Sequence, residues 1–141
     1  VDDMDDVRAT LSRGLRARGF DVVEAASGQA AVACLRGRRA PIRAAVVDLS
    51  MPGMDGEETL HALRRVQASL PVVLSSGYDV HAAAHRLAAL PAVVFLAKPY
   101  RTAELVQRIE RVSPVRPTDS PARRAGFRGT TFAAPQPPPG T

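Results

Sequence analysis

Residues 44–56 read AAVVDLSMPGMDG, an apolar run that ends at Asp48 and then breaks into a turn rich in proline and glycine. A short apolar run bounded by such a turn predicts a buried β-strand. In open α/β sheets, the chemically active groups lie at the carboxyl ends of the strands. The pattern therefore places the Asp48 carboxylate on the functional edge of a sheet.

Other charged residues stand at comparable positions in the chain. Asp2 and Asp3 follow Val1, and Lys98 ends the apolar run VVFLA at residues 93–97. Carboxylate oxygens suit a hard divalent cation, and an ammonium suits a phosphoryl oxygen. Three acids and one lysine at strand ends therefore indicate a site for a cation and a phosphoryl group.

Strand-like and helical patterns alternate along the chain and are joined by short loops. Strands are predicted at residues 21–25, 44–49, 71–75 and 93–97, and helices at about residues 5–19, 27–35, 56–68, 80–90 and 102–112. This alternation predicts an α/β fold in which a parallel sheet has helices on both sides. The acids at the start also need a strand before them, so we expect a first strand that is largely truncated.

The composition indicates one domain with a tail. The chain has 141 residues, is 45% hydrophobic and has no Trp, so its core is aliphatic. No apolar stretch approaches the ~18 residues of a membrane span and no signal peptide opens the chain, so we expect no membrane partner. The single cysteine, Cys34, cannot form an internal disulfide, so we expect the protein to reside in the reducing cytoplasm. The net charge of +5 owes much to arginines after Val112 and gives little support for nucleic-acid binding.

The domain is predicted to span residues 1–112, with residues 113–141 as its tail. Apolar periodicity stops at Val112, and seven of the twelve prolines lie beyond Ser113. This composition predicts a disordered tail rich in proline and arginine. Because the sequence opens on Val1 rather than Met, we expect a fragment or a mis-assigned start.

Four motifs stand at strand ends in a fixed order: VDD at 1–3, DLSMPGMDG at 48–56, LSSGY at 74–78 and FLAKPY at 95–100. Together they resemble the receiver domains of response regulators, the phosphoacceptor modules of two-component signalling, over residues 1–112. The resemblance implies a flavodoxin-like, doubly wound sheet of five parallel strands in the order 2-1-3-4-5.

The same resemblance implies a role for each acid. Asp48 is the implied phosphoacceptor, because a carboxylate can attack phosphorus and hold the group as an acyl phosphate. Asp3 is the implied direct ligand of Mg²⁺, and Asp2 an outer or water-mediated one. Asp48 and the backbone carbonyl of Ser50 complete the implied metal site.

The resemblance also implies residues that neutralise the phosphoryl group and residues that change position when it is present. The Lys98 ammonium and the Ser76 hydroxyl would contact its oxygens. The Lys98–Pro99 bond is expected to be cis, which only an X–Pro bond makes inexpensive. Phe95 is the implied aromatic switch, packing inward as Ser76 moves toward the phosphoryl group. Gly77 leaves room for the incoming group.

The implied partner is a sensor histidine kinase, through its dimerisation and phosphotransfer domain, or a histidine phosphotransfer protein. The chain would act in a cytoplasmic phosphorelay and catalyse at most its own phosphorylation and dephosphorylation at Asp48. Its motifs resemble the receivers of hybrid sensor kinases more than those of transcription factors, so we favour a C-terminal receiver of such a kinase over a stand-alone protein.

Two other functions stay open from the sequence. The chain could be a receiver-like module that binds proteins without being phosphorylated. It could also be an aspartate-nucleophile phosphohydrolase of the haloacid dehalogenase type, but those enzymes use a second Asp two positions after the nucleophile. Ser50 stands at that position here, which argues against sustained turnover.

Overall fold

The computed structural model describes residues 1–77 and 81–114, without the side chain of His81. Helices and strands alternate along it. The elements are α1 (Asp5–Ala17), α2 (Gly28–Arg36), β1 (Ala45–Asp48), α3 (Gly56–Val66), β2 (Val72–Ser76), α4 (His81–Ala88), β3 (Val93–Ala97) and α5 (Thr102–Val112).

The three strands form one parallel sheet in the order β1-β2-β3. Asp48 at the end of β1 pairs with Ser75, and Ser76 at the end of β2 pairs with Ala97. The carboxyl ends of all three strands therefore meet at one edge, next to Lys98. The predicted α/β class with a parallel sheet is confirmed.

Helices cover both faces of this sheet. Successive strand residues point to opposite sides, so apolar side chains of one strand are buried by helices on both faces. Val72 and Leu74 of β2 belong to one buried cluster, while Val73 belongs to the other. The first cluster adds residues of α2, α3 and α4, namely Ala31, Leu35, Leu60, Leu63 and Leu87. The second adds residues of α1 and α5, namely Leu15, Leu105 and Ile109. The sheet is therefore doubly wound, as predicted.

The structure differs from the predicted five-stranded sheet at residues 21–25, which are not a strand here. Val1 bonds to β1, through its amino group to the Val46 carbonyl and through its carbonyl to the Asp48 N–H. On the other side, the Asp2 N–H donates to the Ala25 carbonyl at 3.2 Å. Val1 and Asp2 therefore lie where the order 2-1-3 puts the first strand, but two residues make too few bonds to build a ladder.

A cavity of about 390 Å³ lies beside Val1. Residues 21–25 and residues 40–46 both line it. Leu35 and Leu105, one from each core cluster, also line it. The space between residues 21–25 and β1 is thus open to both halves of the core.

Several element boundaries differ from the predicted ones by a few residues. The helix α1 begins at Asp5, as predicted, but ends at Ala17, before Gly19 adopts a φ of +89°. Ser27, where the second helix is predicted to begin, is the N-cap of α2 and accepts from the Ala30 N–H at 3.1 Å. The start predicted for α4 lies partly outside the described residues.

The predicted domain boundary at Val112 coincides with the end of α5. Of the predicted tail, Ser113 and Pro114 are described, and residues 115–141 lie outside the described part. Among the helices of the described residues, none combines the length and apolar character needed to cross a bilayer.

Candidate functional site

Asp48 is held rigidly where β1 ends. Its side chain is buried, and one carboxylate oxygen, Oδ1, accepts from the Ser50 N–H at 3.2 Å. The next residue, Leu49, donates its N–H to the Ser75 carbonyl of β2 at 2.8 Å. The turn after β1 therefore fixes one oxygen of the carboxylate while the sheet fixes its backbone.

Gly56 lets the chain pack closely behind this carboxylate. A Cβ atom added there would lie 2.5 Å from the Leu49 Cα and 2.6 Å from the Asp48 carbonyl oxygen. Both neighbours are backbone atoms, which cannot rotate away as a side chain can. Only glycine therefore allows α3 to begin directly against the end of β1.

Asp2 and Asp3 lie in the loop before α1, opposite Asp48. The Asp2 side chain is buried, and its Oδ1 accepts from the Met4 N–H at 2.9 Å. Asp2, Asp3 and Asp48 each offer a carboxylate oxygen, and the three oxygens lie within 4.8 Å of one another. The structure thus brings together the three acids that the sequence predicts as metal ligands.

Lys98 completes the cluster from the end of β3. Its Nζ lies 3.2 Å from Asp48 Oδ2 and 3.5 Å from Asp2 Oδ2. Its backbone N–H donates to the Ser76 carbonyl at 2.8 Å, and the Lys98–Pro99 peptide bond is cis, as predicted. Lys98 is therefore tied to β2 by its backbone and to both buried acids by its ammonium.

Two opposing effects act on the pKa of Lys98. Burial by itself lowers the pKa, because a less solvated ammonium is harder to keep charged. The negative charge of Asp48, its hydrogen bond to the ammonium and the charge of Asp2 outweigh burial and hold the pKa above its ordinary value of 10.5. Lys98 is consequently a cation at neutral pH.

The remaining predicted residues surround this cluster. Ser76 is buried at the end of β2, and its hydroxyl donates to the Gly77 carbonyl at 3.0 Å. A Cβ added at Gly77 would meet nothing within 4 Å, so there is open space beside it. Phe95 is half-buried on β3 and packs against the core cluster that contains Leu87 of α4. The roles of Ser76 and Phe95 in switching stay predictions.

The chemistry of these donors fits Mg²⁺. Mg²⁺ prefers oxygen ligands and is usually held by one or two carboxylates while keeping several waters. Three converging carboxylates, of which Asp3 is more exposed than the other two, supply such oxygens next to solvent. Three negative charges facing one ammonium leave an excess of two, which a divalent cation neutralises. The carbonyl of Ser50 stays a predicted fourth ligand.

Sequence reasoning missed two residues that support this cluster. Gly56 stands within the motif at residues 48–56, and its DG pair is a turn signal that can also mark a close approach of backbones. Arg8 was not singled out, yet its Nη1 donates to the Asp2 carbonyl at 2.8 Å. No local sequence pattern predicts that contact, because it depends on how the Arg8 side chain reaches from α1 to the loop before the helix.

Comparison with known proteins agrees with this geometry. The family described as response regulator receiver domain matches residues 1–110. The transcriptional regulatory protein PrrA of Mycobacterium tuberculosis is 41% identical over 113 residues, which are 78% of this chain and 46% of PrrA. The sensor kinase CckA of Brucella abortus is 34% identical over 112 residues, which are 79% of this chain and 12% of CckA. The chain thus spans less than half the length of these relatives.

Solved structures extend the likeness to the fold. The chemotaxis protein CheY4 of Vibrio cholerae aligns with a TM-score of 0.71 and 26% identity, covering 79% of this chain and 92% of CheY4. Chemotaxis receivers have the flavodoxin-like strand order 2-1-3-4-5. The three described strands correspond to the last three of that order, and Val1 and Asp2 lie where its first strand runs, between the second and the third.

Proposed function

We propose, since this chain belongs to the family of response regulator receiver domains, that Asp48 accepts a phosphoryl group from the phosphohistidine of a sensor kinase or a histidine phosphotransfer protein. One carboxylate oxygen of Asp48 would form the new bond to phosphorus while the bond from phosphorus to the histidine nitrogen breaks. The histidine nitrogen keeps the electron pair of the broken bond, and one proton, already on the ring or taken from water, makes the leaving histidine neutral; the other product is an aspartyl phosphate.

One observation carries this proposal: the convergence of Asp2, Asp3 and Asp48 within 4.8 Å, with Lys98 Nζ 3.2 Å from Asp48. Phosphoryl transfer depends mostly on positioning and on neutralising charge at the equatorial oxygens. A nucleophilic carboxylate beside an ammonium, with two further acids able to hold a cation, supplies both requirements. An arrangement serving stability alone would not need three acids at one point.

Mg²⁺, held by Asp2, Asp3 and Asp48, would neutralise phosphoryl oxygens when bound. Lys98 would then exchange part of its contact with the acids for a contact with the transferred group. The open space at Gly77 would admit that group beside the Ser76 hydroxyl. Ser76 would leave the Gly77 carbonyl to donate to a phosphoryl oxygen instead.

The expected output is a change of surface on α4, β3 and α5. Ser76 ends β2 next to β3, and Phe95 on β3 packs in the same cluster as Leu87 of α4. A shift of Ser76 toward the phosphoryl group would therefore free space that the ring of Phe95 could fill. We propose that this receiver acts in a cytoplasmic phosphorelay. The matched relatives include both a transcriptional regulator and a sensor kinase. That this chain is part of a hybrid kinase stays a prediction.

The direct test is phosphorylation of the full chain by acetyl phosphate with Mg²⁺, read by intact mass. We expect a gain of one phosphoryl group for the wild type and none for Asp48→Asn. Asp55→Asn is the matched control: Asp55 lies in the same turn and caps α3, and Asn caps helices as well as Asp, so the gain should persist. A gain retained in Asp48→Asn, or catalytic release of phosphate from a simple ester, would contradict the proposal.

A further inference from the structure

Arg8, near the start of α1, reaches back to the loop that carries two of the acids. Its Nη1 donates to the Asp2 carbonyl at 2.8 Å. Its other nitrogens pair with the carboxylate of Asp5 and lie 3.6 Å from that of Glu24. With a side chain only 18% exposed, Arg8 connects α1, the acid-bearing loop and residues 21–25.

The position of Asp2 is fixed by bonds on every side. Its N–H donates to the Ala25 carbonyl at 3.2 Å, and its Oδ1 accepts from the Met4 N–H at 2.9 Å. Arg8 holds the remaining backbone group, the carbonyl. That carbonyl belongs to the peptide joining Asp2 to Asp3, so the plane that Arg8 holds also includes the Asp3 Cα atom, from which the Asp3 side chain starts.

We propose that Arg8 is a positioning residue for the divalent cation, holding the Asp2–Asp3 peptide so that both carboxylates converge on Asp48. The inference rests on the proposed function, since it concerns the metal site of the receiver. Arg8 uses a main-chain carbonyl and not a ligand oxygen, so it orients the acids without competing for the ion. Groups that orient metal ligands in this way affect affinity strongly.

A second explanation makes the opposite prediction. If Arg8 acted only through its positive charge, it would repel the cation and removing it would tighten binding. If Arg8 acts by position, removing it loosens the Asp2–Asp3 peptide and weakens binding. The sign of the change in affinity therefore separates the two.

Arg16 provides a matched control on the same helix. Its Nη1 lies 3.1 Å from Glu24, the carboxylate that Arg8 also approaches, and its Nη2 donates to the Val22 carbonyl at 3.0 Å. Like Arg8, it joins α1 to residues 21–25 through a carboxylate and a main-chain carbonyl. Unlike Arg8, it bonds to a carbonyl outside the acid-bearing loop.

The test measures binding of Mn²⁺, as a paramagnetic substitute for Mg²⁺, to the full chain by electron paramagnetic resonance of the free ion. Arg8→Gln should raise the Kd roughly tenfold, and Arg16→Gln should leave it unchanged. Arg8→Lys keeps the charge but lacks the planar fork that reaches a carbonyl and carboxylates together, so its Kd should also rise. Thermal unfolding without metal is recorded for each variant.

Each outcome decides the inference. A lower or unchanged Kd in Arg8→Gln and Arg8→Lys, with a wild type that binds Mn²⁺, overturns the positioning role and leaves the proposed function intact. Equal rises in Kd for the Arg8 and Arg16 variants, following their losses of thermal stability, reduce Arg8 to a structural residue and overturn it too. A wild type that binds no Mn²⁺ overturns both proposals.

Discussion

Two buried carboxylates share one ammonium at the carboxyl edge of the sheet. Asp2 and Asp48 are both about 4% exposed, and both lie within 3.5 Å of Lys98 Nζ. Like charges held this close repel each other, and burial removes the water that would screen them. Lys98 therefore stabilises this pair of acids, and a bound divalent cation would stabilise it further.

Replacing Lys98 with methionine should destabilise the protein in a way that depends on metal. In EDTA, we expect the free energy of unfolding to fall by about 1–2 kcal/mol, less than the ~3–5 kcal/mol for breaking a fully buried pair, because the Lys98 side chain is 28% exposed. With saturating Mg²⁺ the deficit should shrink, since the cation takes over the neutralisation. Urea unfolding measures both values.

The control for this prediction is Lys98→Arg, which keeps the charge and should lose less stability in EDTA. The same loss in EDTA and in Mg²⁺ for Lys98→Met would show that the side chain contributes packing and not charge balance.

Among the elements, the turn from β1 to α3 decides where Asp48, the proposed nucleophile, lies. Asp55 caps α3, accepting from the Glu58 N–H at 2.8 Å, while Glu58 accepts from the Asp55 N–H at 3.0 Å. Gly56 then begins the helix with its N–H on the Leu49 carbonyl at 3.2 Å. The reciprocal cap and the close approach together fix the turn that carries Ser50, whose N–H bonds to Asp48.

A methyl group at Gly56 should disturb this turn. Gly56→Ala places a Cβ within 2.6 Å of backbone atoms of Asp48 and Leu49, so the backbone must move. We expect a loss of about 1–3 kcal/mol in the free energy of unfolding, the usual cost of overpacking, together with slower phosphorylation of Asp48. Thermal unfolding and the intact-mass assay measure the two effects.

Gly37→Ala is the matched control, because Gly37 has an αR conformation and an added Cβ would meet its nearest atom at an ordinary 3.5 Å. It should leave both stability and phosphorylation nearly unchanged. Equal behaviour of the two variants would contradict the role given to Gly56.

For the whole molecule, periodicity and strand-end motifs predicted the alternating elements and the convergence of Asp2, Asp3, Asp48 and Lys98. They succeed because a parallel sheet gathers its carboxyl ends at one edge. They do not predict the state of residues 21–25, whose strand character depends on a neighbouring strand and not on their own alternation. They also miss Arg8, because a bond from a helix to a loop carbonyl leaves no local pattern.

The cavity beside Val1 leads to a prediction about stability. The Val1 amino group is buried there, and burial lowers its pKa from 8.0 to about 6, because a buried ammonium is less well solvated. Four apolar residues joined ahead of Val1, such as Ile-Ile-Val-Val, would replace the amine by an amide and fill the cavity between residues 21–25 and β1. Each buried Val or Ile contributes roughly 1.5–3 kcal/mol, partly offset by ~1–2 kcal/mol for ordering its backbone.

We therefore expect the extended chain to unfold at a temperature higher by roughly 5 °C or more, measured by circular dichroism. An extension of Gly-Ser-Gly-Ser is the control: it also removes the charged amine but supplies no side chains to fill the cavity, so it should gain less. Equal melting temperatures for the two extended chains and the original would refute the prediction.

The pairing of Ser76 with Ala97 sets the register of β3 in the sheet, and with it the position of Lys98. If β3 docked one residue out of step, Lys98 would shift by about 3.3 Å and the side chains of β3 would exchange faces of the sheet. The ammonium would then miss both acids. A wrongly paired copy would therefore lose both the burial of Leu96 and the balance of charge around Asp2 and Asp48, because one alignment of β3 sets both.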